Sequence, residues 1–298
     1  MKRIAVLMGG TSNEREVSLR SGAAVVKGLE EAGFEVVPVT LERNALDALP
    51  RDVDAVFIAL HGGYGENGGV QADLDALNLP YTGPGAAASR ITMDKIATKR
   101  VLDAAGVKTA PYEVLEKGTE MTTLPLPVVV KPPRDGSSVG ISKVVEPGEW
   151  ASALAAARAV DPDGEVLVEQ YIPGREWTVG VIGGRALPVV EIQAANGWYG
   201  FAEKYTAGTT KYVFPESEED QPLVARCQAE AEAAFKAVGA RGMSRVDFRV
   251  SPEGEPYVLE INTIPGFTAT SLLPKAAAKA GLSFSALCAE LIGLAACR

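Results

Sequence analysis

The chain has 298 residues, 47% of them hydrophobic and 22% charged, and a formal net charge of −9. This composition is typical of a globular protein with enough apolar residues for two or three cores, and it excludes disordered and fibrous classes. The acidic balance argues against a nucleic-acid or anionic-membrane surface, because both attract clusters of Lys and Arg.

Cysteine and histidine usage and the N-terminal residues indicate the compartment. Cys227, Cys288 and Cys297 form no CxxC pair and His61 is the only histidine, so the sequence offers neither a zinc site nor a disulfide framework. The N-terminal apolar run, IAVLM, is too short for the core of a signal peptide. No segment approaches the ~20 apolar residues of a membrane span. We therefore expect a cytoplasmic protein.

The N-terminal part of the chain predicts a parallel sheet. RIAVLM is an apolar strand, GGTSN a turn, EREVSLRSGAAVVKGLEEAG has helical periodicity and FEVVPVTL is a second strand. DAVFIAL (54–60) is a third strand, and the glycine-rich HGGYGENGG leads from it into a helix, VQADLDALN. This order of elements indicates an α/β domain that ends near residue 83.

Helices and strands alternate less regularly in the rest of the chain. The segment 89–105 is helical in character, and VKTAPYEVL, LPVVVKPP, SKVV and EVLVEQY are strands around the helix EWASALAAARAV. REWTVGVI and RALPVVEIQ flank Gly183-Gly184, a strong hairpin signal. A long amphipathic helix at about 219–239, a second hairpin and two alanine-rich helices follow.

The second hairpin, SRVDFRVSPEGEPYVLEIN, carries the most informative chemistry. If Glu253-Gly254 is its two-residue loop, Asp247 lies opposite Glu260 and Arg245 opposite Asn262, and these four side chains share one face. Two carboxylates and an amide oxygen suit Mg²⁺, although a solvated face with a cross-strand ion pair is an alternative. The glycine of the following TIPGFT loop favours a site, because it lets backbone N–H groups approach an anion. The opposite, core-facing side would hold Val246, Phe248, Tyr257, Leu259 and Ile261.

Two stretches are spelled like motifs of other enzyme classes. KPPRDGSSVG (131–140) contains GSSVG, the G-x-S-x-G of a serine-hydrolase nucleophile elbow centred on Ser138. In the α/β-hydrolase order the histidine follows the serine, whereas His61 precedes it. GGTSNE, near the N-terminus, lacks the G-x-G-x-x-G of a dinucleotide-binding loop. For KPPRDGSSVG, the alternative to a nucleophile elbow is a loop that holds phosphate.

An ordered set of segments runs along essentially the whole chain: GGTSNEREVSLRSG, ALHGGYGENG, YTGPG, MDK, VVKPPRDGSSVG, EKY, SRVDF and LEINTIPGFTATSL. In this order they resemble the D-alanine–D-alanine ligases of the ATP-grasp superfamily. The resemblance implies an α/β and α+β architecture. An N-terminal Rossmann-like parallel-sheet domain (1–83) would be followed by a two-lobed ATP-grasp fold, with a small lobe (84–168) and a large, metal-bearing lobe (169–298).

The same resemblance implies a reaction. ATP phosphorylates the carboxylate of one D-alanine, and the amine of a second attacks the acyl phosphate to give a dipeptide for peptidoglycan precursors. ATP is then a substrate, two Mg²⁺ ions are expected with Mn²⁺ as an alternative, and the protein is expected to be a homodimer without nucleic-acid or membrane partners. A nucleotide-binding regulator on the same scaffold is a further possibility. The complete set of matching site residues argues against it.

The resemblance assigns metal, oxyanion and ATP roles position by position. Asp247, Glu260 and Asn262 match the metal ligands, and Arg245 with the Gly266 N–H matches the group that stabilises the oxyanion. At one adenine position, Gln170, the family frequently has lysine. A contact between the Gln170 side chain and adenine is therefore in question. The residues that match ATP contacts are Lys95, Lys131 and Lys204 at the phosphates, Glu169, Gln170 and Ile172 at adenine, and Glu176 at ribose.

Three matching residues surround the first substrate. Glu14 matches the carboxylate that receives the ammonium of the first D-alanine, and Ser137 and Tyr205 match residues hydrogen-bonded with it across the site. Thr11 and Glu14 also have the T-x-x-E spacing of a helix capping box, which is an alternative for Glu14. A buried interface tyrosine is the alternative for Tyr205. The resemblance favours hydrogen bonding by Ser137 over covalent attack by Ser138.

Three further residues match substrate contacts. Ser271 and Leu272 match the positions that bind the carboxylate of the second D-alanine, a role that suits a serine at a helix N-terminus. An ordinary N-cap serine is the alternative for Ser271, and both can hold at once. His61 matches a histidine near the first substrate, at the end of a strand where open α/β sheets bind ligands. A packing histidine is its alternative.

Overall fold

The computed structural model describes residues 2–134, 139–161, 164–194 and 210–297. The described strands form three sheets. The first consists of β1 (Arg3–Gly9), β2 (Glu35–Leu41) and β3 (Ala55–Ile58), all parallel in the order β2-β1-β3, with α1 (Arg15–Glu31) joining β1 to β2. The predicted β-α-β opening is therefore confirmed. Its central strand is apolar and buried from Ile4 to Met8 because both of its faces are covered.

Helices α2 (Gly69–Ala76), α3 (Ala86–Met93) and α4 (Lys95–Ala104) follow. The predicted single helix over 89–105 is wrong in one respect, because the chain breaks at Asp94, where the backbone is extended (φ −94°, ψ 106°). The Asp94 carboxylate accepts hydrogen bonds from the N–H groups of Ile96 and Ala97. Aspartate is a preferred N-cap residue, so it ends one helix and starts the next.

The second sheet is antiparallel and has the order β4-β7-β5-β6. Helix α5 packs on it through Ala153, Leu154 and Ala157, which are buried with the valines of the strands. The strands and the helix lie where the apolar runs predicted them. Their bounds are β4 (Tyr112–Leu115), β5 (Val128–Lys131), β6 (Ser142–Val144), α5 (Trp150–Val160) and β7 (Val166–Gln170).

The third sheet is the largest, with the order β11-β10-β8-β12-β13 and β9 paired to β8. Gly183 and Gly184 form the predicted two-residue hairpin turn between β8 and β9, and both have positive φ (57° and 82°). Helix α6 packs on the sheet through Cys227, Ala231 and Phe235. The bounds are β8 (Arg175–Ile182), β9 (Arg185–Ala186), β10 (Val190–Ala194), β11 (Thr210–Val213), α6 (Gln221–Ala237), β12 (Met243–Val250) and β13 (Pro256–Asn262).

The β12–β13 hairpin has the predicted pairing, with Arg245 opposite Asn262 and Asp247 opposite Glu260. Its loop is longer than the predicted two-residue turn and spans residues 251–255. A register shift lies immediately after the Asp247–Glu260 pair, where β13 has one extra residue. This extra residue compensates for the longer loop, so the predicted pairing is kept. The polar residues therefore face one another because of a β-bulge.

The same shift changes the core face of the hairpin. Val258 is buried, with 1% of its surface exposed, whereas Tyr257 and Leu259 are partly exposed. The prediction that Tyr257 and Leu259 face the core is wrong, since strict alternation cannot anticipate a bulge. The residues buried as predicted are Val246, Phe248 and Ile261.

Helices α7 (Leu272–Lys279) and α8 (Phe284–Gly293) return to the first sheet. Leu287 and Leu291 of α8 are fully buried in the same core as Ile4. A Cβ added at Gly28 of α1 would lie 2.9 Å from Phe284, so the two helices are in close contact. Within the described ranges no single helix is long and apolar enough to cross a bilayer, and α7 and α8 meet that criterion only as a pair bent by 102°.

The hydrophobic cores bear on the predicted domain bounds at residues 83 and 168. Leu102 and Val107, from the segment predicted for the small lobe, pack in one core with Trp177 and Phe248 of the third sheet. The C-terminal helices, predicted within the large lobe, complete the core of the first sheet. The bounds stay a prediction, and packing crosses both of them.

Candidate active site

Glu14 lies between β1 and α1, beside the glycine-rich loop after β3. Its N–H donates to Ser12 Oγ at 3.2 Å, and the Ser12 hydroxyl donates to the His61 carbonyl at 2.6 Å. A Cβ added at Gly62 would lie 2.8 Å from Glu14 Oε2, and Gly62 has φ 68°, so only glycine fits there. Ser12, His61 and Gly62 line a cavity of about 80 Å³ in this region.

The hydrogen bonds around Thr11 differ from those of a capping box. Thr11 Oγ1 donates to Asn44 Oδ1 at 3.0 Å, and the Glu14 N–H, which a capping Thr11 would accept, is bonded to Ser12. Helix α1 begins at Arg15, and the described residues supply no side-chain N-cap hydrogen bond to it. The structure therefore does not favour the capping alternative, and the substrate-binding role of Glu14 stays a prediction.

His61 is buried, with 4% of its surface exposed, and both ring nitrogens are hydrogen-bonded. Nε2 lies 2.9 Å from Ser21 Oγ and Nδ1 lies 3.0 Å from the Ile264 carbonyl oxygen. The Glu66 carboxylate is 3.9 Å from Nδ1, and burial raises the pKa of Glu66 against the opposing effect of the histidine. His61 thus links the first sheet to the TIPGFT loop, and a direct contact with substrate stays a prediction.

Arg245 and Asp247 are two residues apart on β12 and form a two-point ion pair. Arg245 Nε and Nη2 donate to Asp247 Oδ1 and Oδ2 at 2.8 and 2.7 Å. Thr178 Oγ1 donates to Oδ1 at 2.5 Å and Asn262 Nδ2 to Oδ2 at 3.0 Å. An ionised carboxylate has about four acceptor positions, so these bonds fill those of Asp247.

The predicted metal ligands Asp247, Glu260 and Asn262 lie on the same hairpin face. In the described part of the chain, no group of three or more His, Cys, Asp and Glu side chains could hold a metal ion, and this hairpin face carries only two carboxylates. Two carboxylates and an amide oxygen are a hard donor set that fits Mg²⁺. Asp247 is saturated by its hydrogen bonds, so ligation there requires Arg245 or another donor to release it.

The loop after β13 places Gly266 next to Ser271. Ser271 Oγ accepts the Thr268 N–H at 3.0 Å, and a Cβ added at Gly266 would lie 3.3 Å from it. Ser271 is the N-cap residue of α7, but within the described residues its side chain makes no cap hydrogen bond, and Leu272 is the first helical residue. The N-cap alternative therefore describes the position of Ser271 and does not account for its side chain.

Lys131 and Glu169 form an ion pair that joins β5 to β7, and a third side chain completes the cluster. Lys99 Nζ lies 2.6 Å from Glu169 Oε1 and donates to Thr109 Oγ1 at 2.6 Å. Lys99 and Glu169 are each 2% exposed and Lys131 9%. Lys99 is not among the site residues predicted from the sequence. One carboxylate therefore pairs with two ammonium groups in a nearly dry environment.

The charges of this cluster set its pKa values. Burial alone would raise the pKa of Glu169, but the ammonium groups of Lys131 and Lys99 outweigh it and lower the pKa to about 2. Burial lowers the pKa of Lys99. The negative charge of Glu169 opposes this lowering, and the like charge of Lys131 adds to it. Glu169 is therefore an anion between the two lysines.

Gln170 is hydrogen-bonded to the segments that precede β4 and β5. Its Nε2 donates to the carbonyls of Pro127 and Pro125 at 2.9 and 3.1 Å, and its backbone N–H donates to Pro111 O at 2.8 Å. The side chain thus holds the loop before β5. An adenine contact by this side chain would require it to leave both carbonyls.

Arg249 organises the segment between β7 and β8. It is 7% exposed and donates to the carbonyls of Ile172 and Gly174 at 3.1 and 3.0 Å. Its Nη1 also donates to Glu176 Oε2 at 3.3 Å. One guanidinium therefore holds two residues predicted to contact ATP, Ile172 and Glu176. Arg249 itself is not among the site residues predicted from the sequence.

Of the site residues still to be placed, Lys95 lies within the described ranges. Lys95 begins α4, and its N–H donates to Pro133 O at 2.9 Å, so this helix start is tied to the loop that follows Lys131. Ser137, Lys204 and Tyr205 lie outside the described residues, as does Ser138. Their roles stay predictions.

Comparisons with known proteins agree along the chain. The family model described as D-ala D-ala ligase N-terminus matches residues 3–48 and 41–84, and the model described as D-ala D-ala ligase C-terminus matches residues 100–293. A D-alanine–D-alanine ligase of Geobacter sulfurreducens is 46% identical over 296 residues, covering 97% of this chain and 93% of the relative. One of Anaeromyxobacter dehalogenans is 45% identical over 304 residues, covering 99% and 97%.

Solved structures give the same result. The D-alanine–D-alanine ligase of Bacillus anthracis complexed with ATP superposes with a TM-score of 0.86 at 34% identity, covering 99% of this chain and 97% of that one. The VanG D-Ala:D-Ser ligase of Enterococcus faecalis has a TM-score of 0.86 at 32% identity, covering 98% and 99%. The fold and site therefore define an ATP-grasp enzyme, with a parallel-sheet domain ahead of two antiparallel sheets. Within that class, the chain belongs to the D-alanine–D-alanine ligase family.

Proposed function

We propose that this chain joins two D-alanine molecules at the expense of ATP, through a D-alanyl phosphate, to supply D-alanyl-D-alanine for peptidoglycan synthesis. The observation that carries the proposal is the polar face of the β12–β13 hairpin, where Arg245 and the carboxylates Asp247 and Glu260 meet beside the TIPGFT loop. A carboxylate is a poor electrophile, so the reaction needs both a phosphoryl leaving group and positive groups for the accumulating charge.

The first D-alanine is bound in the cavity beside Glu14. The Glu14 carboxylate receives the substrate ammonium, and the start of α1 favours a negative charge there. The cavity is therefore suited to a small zwitterion held by its amine.

The acyl transfer takes place between Arg245 and Gly266. Arg245 and the Gly266 N–H stabilise the negative oxygen that forms when the second amine attacks. Removing one donor of this kind typically costs about 10²–10³ in rate, so the placement of the loop matters. The Ser271 hydroxyl and the N-terminus of α7 bind the carboxylate of the second D-alanine.

ATP is bound between the second and third sheets. Lys131 and Lys95 face the phosphates, with the backbone around Glu169 and Ile172 at adenine and Glu176 at ribose. Asp247, Glu260 and Asn262 would hold Mg²⁺, with Mn²⁺ as an alternative, and a divalent ion bound there would neutralise phosphate charge during transfer.

Further features of the proposal are drawn from the sequence. Ser137 and Tyr205 hydrogen-bond around the first substrate, and Lys204 covers the terminal phosphate. Two metal ions, a homodimer and a cytoplasmic location complete the proposal. The hydrolase alternative is disfavoured, because His61, the only histidine in the sequence, has both ring nitrogens bonded to Ser21 and Ile264.

The test is a coupled assay of purified protein with ATP, Mg²⁺ and D-alanine that follows inorganic phosphate and dipeptide together. We expect phosphate release that depends on D-alanine, with one dipeptide formed per phosphate. L-Alanine is the matched control and should give neither product. Phosphate release without D-alanine, or none at all, would refute the proposal. D-Serine added with D-alanine determines whether the second subsite accepts a hydroxymethyl side chain, as the name of the VanG enzyme states for that protein.

A further inference from the structure

We propose that Ser21 is a positioning residue for the oxyanion-stabilising loop: together with His61 it fixes the TIPGFT loop on both sides of Gly266. This inference rests on the role proposed above for the Gly266 N–H. Ser21 lies on α1 and is fully buried. It belongs to the N-terminal domain, whereas the loop follows β13 of the third sheet.

Two backbone groups of the loop are held from the first domain. The Phe267 N–H donates to Ser21 Oγ at 3.1 Å. His61 Nδ1 lies 3.0 Å from the Ile264 carbonyl oxygen, and His61 Nε2 lies 2.9 Å from Ser21 Oγ. Gly266 lies between the two held residues, so these bonds determine where its own N–H is placed.

For a neutral His61 ring, the partners determine the direction of each hydrogen bond. A carbonyl oxygen only accepts, so His61 Nδ1 carries the proton and donates to Ile264. In the neutral imidazole Nε2 is then an acceptor, and the Ser21 hydroxyl donates to it while accepting the Phe267 N–H. Every donor in the set meets an acceptor. Removing the Ser21 hydroxyl leaves the Phe267 N–H and His61 Nε2 both buried without this partner, which is costly.

The loop side chains are packed against the same domain. Ile264 and Phe267 are 2% and 1% exposed, and the Phe267 ring lies 5.3 Å from Phe57 and 5.6 Å from Phe284, centroid to centroid. Apolar contacts of this kind hold the loop in place but do not orient a particular N–H. The hydrogen bonds from Ser21 and His61 add that orientation.

Helix α1 connects this arrangement to the first substrate site. Glu14 precedes the first helical residue and Ser21 lies on the same helix, about two turns further along. A helix is rigid over this length, so the group proposed to hold the substrate amine and the group that holds the loop move together. A shift of α1 would therefore displace both Glu14 and the hydrogen bond that holds the Gly266 segment.

Ser18 provides a matched control. It lies on the same helix, is fully buried and also has two hydrogen bonds, accepting from the Gly9 N–H at 2.9 Å and donating to Ala59 O at 2.6 Å. Both of its partners belong to the first domain. Ser18→Ala and Ser21→Ala therefore remove equally buried hydroxyls, and only the second removes a contact with the loop.

The experiment compares both variants by steady-state kinetics, urea unfolding and amide hydrogen exchange. For Ser21→Ala we expect kcat to fall at least about 10-fold. The fall should not exceed the loss of about 10²–10³ that outright removal of an oxyanion donor causes. The KM for ATP should stay within about 2-fold of its original value. Exchange at the Phe267 amide should become at least about 10-fold faster. The urea concentration at the midpoint of unfolding should be lowered by a similar amount in Ser18→Ala and in Ser21→Ala. In Ser18→Ala, however, kcat and the exchange rate of the Phe267 amide should stay near those of the unsubstituted chain.

Three results would overturn the inference: an unchanged kcat in Ser21→Ala, equal losses of kcat in both variants, or unchanged Phe267 exchange. If Ser21→Ala does not fold, Ser21→Cys is measured in the same way. Because its thiol is a weaker donor and acceptor, we expect an intermediate fall in kcat and intermediate exchange, and normal values of both would count against the proposal. The exchange measurement needs no turnover, so it separates a failure of this inference from a failure of the proposed function.

Discussion

Lys99 and Glu169 form an ion pair with 2.6 Å between Nζ and Oε1, and both side chains are 2% exposed. Lys131 shares the same carboxylate from the other side. Two of these three residues, Lys131 and Glu169, are proposed to contact ATP, so the third, Lys99, supports the nucleotide site from within the fold.

Glu169→Gln should destabilise the fold strongly. The substitution leaves two buried ammonium groups without their anion, and breaking a buried pair in this way typically costs about 3–5 kcal/mol. The measurement is the free energy of unfolding in urea. Glu290→Gln is the control, because Glu290 pairs with Arg185 at the surface and such pairs contribute at most about 1 kcal/mol. Equal losses in the two variants would contradict the account.

The stability that Glu169 contributes should depend on pH in a defined window. Its pKa in the folded chain is lowered from 4.5 to about 2. A carboxyl with a depressed folded pKa stabilises the protein above its unfolded pKa, and that contribution is lost as the pH falls through the folded value. The difference in unfolding free energy between the unsubstituted chain and Glu169→Gln should therefore narrow from about pH 4.5 to about pH 2. A difference that stays constant over this range would refute the assignment.

Arg249→Met should weaken ATP binding selectively. The guanidinium holds the carbonyls of Ile172 and Gly174, which shape the predicted adenine segment. We expect the KM for ATP to rise about 10-fold, equivalent to the loss of about one charge-assisted hydrogen bond, with little change in the KM for D-alanine. Arg226→Met, which removes an exposed pair with Glu255, is the control. A rise in both KM values would indicate a general structural effect.

Glu260→Gln should abolish most activity while leaving the fold intact. It removes a charged oxygen from the proposed metal ligands, and we expect kcat to fall about 100-fold or more. The fold is checked by circular dichroism and the loss by dipeptide formation at increasing Mg²⁺. Glu253→Gln, in the exposed loop of the same hairpin, should retain activity. Normal activity in Glu260→Gln would refute the metal assignment.

Local patterns predicted the parts of the fold that depend on neighbouring residues. The pairing of Asp247 with Glu260 was predicted from a two-residue loop and holds only because a bulge offsets the five-residue loop that the structure has. A bulge changes the register without changing the composition, so the sequence pattern did not indicate it. The helix break at Asp94 has an N-cap signature in the sequence and could have been predicted.

The supporting residues of the site differ in how far the sequence could indicate them. Lys99 follows Ile96 and precedes Leu102 at helical spacing, and all three are buried, so a lysine on this apolar stripe was a signal of a buried partner. Ser21 offered no such signal, since its partner Phe267 is 246 positions away along the chain. Contacts of this kind depend on how the domains pack, which local periodicity does not describe.

The central claim, transfer through a D-alanyl phosphate, is tested most directly by the fate of a carboxylate oxygen. The measurement uses D-alanine with a heavy-oxygen label in its carboxylate and determines the label in the inorganic phosphate by mass spectrometry. When an amine displaces phosphate from an acyl phosphate, the bridging oxygen leaves with the phosphate. The account predicts one labelled oxygen in the phosphate for each dipeptide formed. Unlabelled phosphate accompanying dipeptide formation would contradict it.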